Sequence, residues 1–288
     1  MMNYSALIQN RRSVRAFSNK QVSPAVLDAV EAYYRNSALR LIPNLKTQLR
    51  IFGNEARERL EGAAGYQSFL IGAPRYLVLL CEQDRYAGIH AGCIMEDLIL
   101  KLTELELDTC WLTFTDSGSI KSALGLSSEL EVAAIAAFGR GAKTTKRLRL
   151  NVRSMSHVDI SAQRQYFQPK VSVRDLVFLN DWGSTSGAEE FIGFYGDLLW
   201  EAFYAASLSP SYLNRQPYGF LIRDGRVTLV QKPDRYTGEI DSQLNLGVVL
   251  LHFTAAASQW AGELHWQFEG NPPIALPEGH RAIVSCAL

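Results

Sequence analysis

Two long apolar helical runs dominate this 288-residue chain: AGIHAGCIMEDLILKLTELEL from residue 87 and DSQLNLGVVLLHFTAAASQW from residue 241. Each is followed by a short buried-strand pattern, EVAAIAAFG and HRAIVSCAL. In the first run Ile94, Leu98, Leu102 and Leu105 recur at helical spacing, which predicts a helix central to the core. A chain that writes such a helix twice is constrained to cover both.

The elements around the two runs come in the same order. The first half opens with a short helix at residues 4–10, then RRSVRAF, then a helix at SPAVLDAVEAYYR with Ser23 as N-cap and Pro24 at its first position. Strands follow at KTQLRIF and RYLVLLCE, then the long run, a short strand DTCWLTF, a short helix SIKSALGL and the strand EVAAIAAFG. In the second half VSVRDLVF echoes RSVRAF, and FIGFYGDLLWEAFYAAS reads as one helix opened by Glu189 and Glu190, which suit the positive end of its dipole. QPYGFLIRDGRVTLV gives two strands joined at Asp224-Gly225, a hairpin dipeptide, and Asp241 reads as the N-cap of the second long helix. The expected organisation is a duplication: residues 1–155, a linker around MSHVDISAQRQYFQPK, and residues 172–288. Alternation of strands and helices places both halves in the α+β class, with mixed sheets packed by helices.

Composition excludes several function classes. Lys plus Arg and Asp plus Glu are equal at 29 each, so no net field points to nucleic acid or an anionic membrane. No apolar run reaches bilayer length and the N-terminal apolar stretch is too short for a signal peptide, so the expectation is a cytoplasmic protein that engages neither nucleic acid nor membrane. Cys81, Cys93, Cys110 and Cys286 lie in apolar surroundings without CxxC spacing and read as buried thiols, and the five histidines form no metal-binding motif.

Three stretches remain as candidates for chemistry. RRSVR gathers Arg11, Arg12 and Arg15 around Ser13, a set of charge-assisted donors suited to a phosphate, although such runs also occur as solvated basic turns. GAKTTKR lacks the glycine spacing of a phosphate loop, and no GxGxxG follows an early strand, so neither an NTPase nor a Rossmann dinucleotide site is supported. SLSPSYLNRQPYGFLI joins a helix to a strand through Pro210 and Pro217, two stiff points that bracket the polar side chains of Ser211, Asn214 and Gln216. Trp111 and the aromatics at 200, 203 and 204 read as core.

Together, RRSVRAF at 11–17, PSYLNRQPY at 210–218 and ELDTCWL at 106–112 resemble the nitroreductase family of flavin enzymes. The likeness covers most of the chain, and the first two motifs carry it. It departs from the family in one respect. The P-S-x-x-N-x-Q-P element normally follows the arginine element after one short helix, but here it lies about 200 residues later, while the expected place reads LRLIPNLKTQLRIF. Family members are usually homodimers with flavin mononucleotide (FMN) at the subunit interface. The resemblance therefore implies a nitroreductase-like fold whose two similar halves form a pseudo-dimer within a monomer, resembling the duplicated-domain nitroreductase subgroup. One FMN site would join RRSVR to PSYLNRQP; the opposite site, built from Arg174 and LRLIPNLKTQ, would be degraded.

Carried over by resemblance, Arg11 and Ser13 contact the FMN phosphate or ribityl chain with Arg12 beside them, and Arg15 stabilises the reduced ring. Pro210, Ser211, Tyr212 and Asn214 line the ring, Gln216 anchors the loop, Arg147 is a looser match to a late phosphate contact, and a backbone N–H near Thr113 or Phe114 would face the flavin. The implied activity is an FMN-dependent oxidoreductase that takes electrons from NADH or NADPH to a nitroaromatic, a quinone or a similar planar acceptor, without a catalytic triad or metal. A non-catalytic FMN-binding, storage or sensing protein is the other class this resemblance allows.

Overall fold

The computed structural model describes residues 2–36, 39–67, 69–142, 147–154, 157–163, 169–268 and 274–288. The first half runs α1 (Tyr4–Asn10), α2 (Pro24–Asn36), β1 (Thr47–Gly53), α3 (Ala56–Leu60), β2 (Arg75–Cys81), α4 (Ala87–Glu104), β3 (Asp108–Leu112), α5 (Ser117–Leu124) and β4 (Glu131–Gly139). Its sheet has the order β1-β2-β4-β3, antiparallel throughout. Local sequence explains the ends: Asn3 caps α1 by accepting from Ala6 N at 3.1 Å, α2 begins at Pro24, and α5 is opened by Asp116 and closed by Gly125 at φ 64°.

The chain continues through β5 (Arg147–Ser154), β6 (His157–Gln163), α6 (Val173–Leu176), β7 (Val177–Leu179), α7 (Ala188–Tyr195) and α8 (Asp197–Ser207). It ends with β8 (Tyr218–Arg223), β9 (Arg226–Gln231), α9 (Glu239–Ala261) and β10 (Arg281–Ala287). The second sheet has the order β10-β9-β8-β7, with β7 parallel to β8 and the other pairs antiparallel. The trio β8-β9-β10 reproduces β1-β2-β4, and α9 reproduces α4. Asp224 and Gly225 turn the β8–β9 hairpin at φ 50° and 67°, as a type I′ turn requires.

The two long helices pack against each other at the centre. In α4 every residue from Ile89 to Leu100 is buried, and in α9 every residue from Leu244 to Ala257. Helices apolar on nearly all sides need cover on all sides, and each receives a sheet and helices from its own half and the partner helix from the other. Full burial of a leucine such as Leu98 or Leu250 contributes roughly 1.5–3 kcal/mol.

Where α4 and α9 cross, backbone meets backbone. A Cβ on Gly92 would lie 2.5 Å from Leu244 O, and one on Gly247 would lie 2.0 Å from Ile89 O. Leu244 stands three residues before Gly247, as Ile89 does before Gly92, so the two contacts exchange under a pseudo-two-fold axis. The molecule is an α+β fold in which two similar halves form a pseudo-dimer in one chain.

Several sequence expectations need correction. The stretch FIGFYGDLLWEAFYAAS is two helices, because Gly196 at φ 84° breaks it between α7 and α8. Residues 147–163 form an antiparallel hairpin where a basic loop and a linker were expected; the rest of that stretch, 143–146, 155–156 and 164–168, lies outside the described residues. VSVRDLVF does not mirror RSVRAF. Ser13 and Phe17 bridge Thr109 and Gly141 beyond one edge of the first sheet, whereas residues 173–179 form α6 and then β7 against β8, the counterpart of the opposite edge strand. Asp241 is not the N-cap of α9: Gly238 holds that position and Asp241 lies in the first turn. The counterpart of β3 has shrunk to a single bridge between Gln267 and Ser285.

The four cysteines are free and buried, as expected. Among the described residues no helix is long and apolar enough to cross a membrane.

Candidate functional site

One face of α9 carries Asp241, Asn245 and His252 at helical spacing, with Asp241 and His252 meeting the first half and Asn245 the proline-rich loop. Thr113, just past β3, donates to Asp241 Oδ2 at 2.7 Å. Asn245 Oδ1 accepts from Tyr212 N at 3.0 Å. His252 Nε2 lies 3.0 Å from Glu96 Oε1 of α4, and Trp111 of β3 donates to Glu96 Oε2 at 2.8 Å. The strand β3 is therefore tied to the seam twice, at Trp111 through Glu96 and at Thr113 through Asp241.

The arginine element enters beside this strand. Val14 N donates to Thr109 O and Ala142 N donates to Ala16 O, each at 2.8 Å, so residues 13–17 run pinned along the sheet edge. Arg12, Ser13 and Arg15 are exposed, whereas the Arg11 side chain is only 8% exposed and its Nε lies 3.5 Å from Glu96 Oε1. That approach is an ion pair without hydrogen-bond geometry, and Nε is left buried and unpartnered. Burial alone would raise the Glu96 carboxyl, but His252, Arg11 and Trp111 outweigh it and hold it below its ordinary value. Cys110 moves up because it is buried, with Arg15 and Arg11 both near enough to oppose the shift.

The loop between α8 and β8 comes from the other half and is held rigidly. Gln216 is buried; its Nε2 donates to Ser207 O at 2.7 Å, its Oε1 accepts from Val171 N at 2.9 Å, and its own N–H donates to Ser211 Oγ. Asn214 Nδ2 donates to Pro169 O at 2.8 Å, and its Oδ1 accepts from Lys170 Nζ at 2.6 Å. Leu213, Asn214 and Gln216 have positive φ values of 49°, 56° and 46°, interrupted by Arg215 at −72°, a conformation that these bonds maintain. Tyr212 reaches across the seam, its ring centroid 6.3 Å from that of Tyr66 in the first half.

Lys170 escaped the sequence reading. It donates to Ser209 O at 2.9 Å as well as to Asn214. Burial, aided by the positive charge of Arg11 and opposed by Glu96, pulls it down to about 8. A lone lysine after a proline carries no motif, and only the fold brings it to Arg11. Asp241 and Asn245 were equally invisible as site residues, since a carboxylate at a helix start reads as a cap, and at Thr113 the resemblance pointed to a backbone N–H and not to the side chain that bonds Asp241. Pro210 and Ser211 are half-buried in the loop, and Arg147 opens β5, where its side chain lies outside the described residues.

The pseudo-symmetric place differs. His90 stands two residues before Gly92, as Asn245 does before Gly247, and His90 Nδ1 accepts from Ile42 N at 3.1 Å as Asn245 accepts from Tyr212 N. LRLIPNLKTQ is thus the spatial counterpart of the proline-rich loop. Its pocket is occupied by protein: Leu39 N donates to Asp97 Oδ2 at 2.8 Å, Tyr4 and Tyr33 hydroxyls donate to Asp97, and Arg40 donates to Thr47 Oγ1 and Tyr34 O. Burial raises Asp97 despite these bonds. Arg174, the cation expected there, is exposed on α6.

Comparison with known proteins agrees with this architecture. Over the full chain the structure is similar to that of a nitroreductase from Thermotoga maritima, at 19% identity and a TM-score of 0.58, covering 100% of this chain and 94% of that one. A nitroreductase with bound FMN from Bacteroides fragilis matches at 19% identity and a TM-score of 0.43, covering 56% of this chain and 100% of that one. A nitroreductase family protein from Clostridium difficile matches at 20% identity and a TM-score of 0.43, covering 50% and 87%. No curated protein matches the chain. Residues 3–172 match the family model described as "Putative TM nitroreductase", and the chain belongs to that nitroreductase family.

Proposed function

We propose that this protein is an FMN-dependent oxidoreductase with one flavin site, on the seam where the arginine element of the first half faces the proline-rich loop of the second. The observation that carries the reading is the concentration of unpaired cationic donors at that seam. Among the described residues Arg11 forms an ion pair only with Glu96, which His252 and Trp111 already engage, and Arg12, Arg15 and Lys170 form none. A phosphate monoester supplies the missing negative charge.

The donor set fits FMN in its two parts. Cys110, near Arg11 and Arg15, and Thr113, bonded to Asp241, are three strand residues apart, about 10 Å. The cationic end suits a phosphate, and the other end, walled by Tyr66 and Tyr212, suits a planar ring. Arg11 Nε and Asn245 Nδ2, both buried without partners, are further donors on this seam. When bound, the flavin supplies two-electron chemistry between NADH or NADPH and a nitroaromatic, quinone or similar planar acceptor. The chain's own contributions are to gather positive charge at the cationic end through Arg11 and Arg15, to hold the loop rigid through Gln216, and to exclude water from the Glu96 cluster.

Titration of the purified protein with FMN, followed by anaerobic addition of NADH or NADPH, tests the reading. One FMN per chain that bleaches with either nicotinamide supports it. Bound FMN that stays oxidised with both indicates a flavin-storing or flavin-sensing protein instead, and failure to take up FMN overturns both. Two FMN per chain would overturn the single-site arrangement.

A further inference from the structure

Asp241 is half-buried in the first turn of α9, and Thr113 Oγ1 donates to its Oδ2 at 2.7 Å. No basic side chain among the described residues forms an ion pair with it. Among the described residues only Thr113 donates a side-chain hydrogen bond to its carboxylate. It lies near Tyr212, whose hydroxyl is raised by burial and then by Asp241 and Tyr66. Tyr66 is 48% exposed, so this aromatic wall opens to solvent. One turn further along the same face, Asn245 is 5% exposed, and its Nδ2 has no partner. The seam thus has a cationic end at the arginine element and, one strand length away, an uncompensated carboxylate beside two aromatic rings.

A carboxylate withdrawn from water and left without a counterion is costly unless something pairs with it. Burial raises Asp241, with the Thr113 bond opposing the rise, which is how a carboxyl behaves while its partner is missing. A cation beside Tyr66 and Tyr212 would gain from the carboxylate and from the ring faces together. An anion there would meet repulsion in a poorly screened place.

We propose that Asp241 sets the charge preference of the second ligand at this seam, favouring planar aromatic acceptors with a cationic or hydrogen-bond-donating substituent over anionic ones. The inference rests on the flavin reading for the identity of the first ligand, but the selecting groups all belong to the chain. In the reaction the acceptor would receive its electrons from reduced flavin regenerated by the nicotinamide; Asp241 contributes binding selectivity and no electrons.

The probes are 4-nitrobenzylamine, 4-nitrobenzyl alcohol and 4-nitrobenzoate, which share a ring and differ in charge. On the FMN-loaded protein, kcat/KM is expected to fall in that order, with at least about a tenfold span between amine and carboxylate. Calorimetric titration with the non-reducible pair 4-methylbenzylamine and 4-methylbenzoate should show the same preference in Kd. Asp241→Asn keeps an acceptor for Thr113 and should shrink both spans to about twofold or less. Thr113→Val keeps the charge and should keep the preference, which guards against a variant that merely disturbs the fold. Absence of a preference in the wild type, or its survival in Asp241→Asn, overturns the inference while leaving the flavin reading intact. If the chain takes up no FMN the flavin reading fails, and the same calorimetric comparison on the flavin-free chain still decides the role of Asp241.

Discussion

Glu96 of α4 and His252 of α9 meet at 3.0 Å, both with no exposed side-chain surface, one from each half of the chain. Removal of the carboxylate strands two donors, His252 Nε2 and Trp111 Nε1, and takes the counter-charge from the Arg11 guanidinium. Glu96→Ala is expected to cost about 3–5 kcal/mol, the scale for removing one partner from a buried ionic cluster. Glu96→Gln, which keeps an acceptor for Trp111 but no charge for Arg11, should fall between the two. Urea unfolding of the three proteins measures this order, and equal stability of all three would contradict it.

The helix crossing makes a prediction of unequal sizes. Gly247→Ala brings a Cβ within 2.0 Å of Ile89 O and 2.7 Å of Cys93 N, whereas Gly92→Ala brings one within 2.5 Å of Leu244 O. All of these partners are backbone, so no side chain can swing aside. Each change should cost on the order of 2–3 kcal/mol or more by overpacking, with Gly247→Ala the worse. Thermal unfolding of the two variants reports the order.

His90 couples stability to pH. Burial, aided by Arg40 and opposed by Asp84, lowers it from 6.5 to about 4, so the folded chain keeps it neutral while the unfolded chain protonates it. Below pH 6.5 the unfolded state therefore binds more protons than the folded one. The contribution is full above 6.5 and is lost as pH falls toward about 4, by about 3 kcal/mol at most. His90→Asn, which copies Asn245, keeps an acceptor for Ile42 N and removes the titration. The variant should lose less stability than wild type between pH 7 and 4.5, as measured by denaturant midpoints; parallel curves would refute this.

Gln216 tests how far the flavin loop depends on its anchor. Gln216→Ala leaves Ser207 O and Val171 N without their partners, both inside the fold, at an expected cost of about 2 kcal/mol. The positive-φ residues Leu213, Asn214 and Gln216 then lose their restraint, and FMN affinity should fall about tenfold or more. Flavin fluorescence quenching measures the affinity; unchanged binding would separate the anchor from the site.

The sequence made the elements legible wherever local chemistry settles the backbone. Pro24, the Asp224-Gly225 turn and the spacing of Ile94, Leu98 and Leu102 each specify their element without help from the rest of the chain. The hairpin at 147–163 was missed because the basic residues at its start read as a loop, although Leu148, Leu150 and Val152 alternate with polar residues as a strand does. The break at Gly196 was missed because apolar residues continue on both sides of it. The two loops of the candidate site could be read as motifs, but Lys170, Asp241 and the side chain of Thr113 could not. Their relevance arises from contacts between residues 39 to 128 positions apart, and none belongs to a local pattern. The echo between VSVRDLVF and RSVRAF was a coincidence of letters: four similar residues do not encode an edge of a sheet, and the two segments settle on opposite edges.

The pair His90 and Asn245 has a consequence for how such a molecule can change. In an assembly of two identical chains both positions would be specified by a single codon, and a residue improved for one site would be imposed on the other. Here each has its own codon. The histidine side could fill its loop with leucine, isoleucine and an aspartate held by two tyrosines, while the asparagine side kept a polar loop facing the arginines. Fusion thus separates two duties that symmetry would force on one residue: one side of the axis is free to serve as structure while the other, in the function proposed above, serves a ligand.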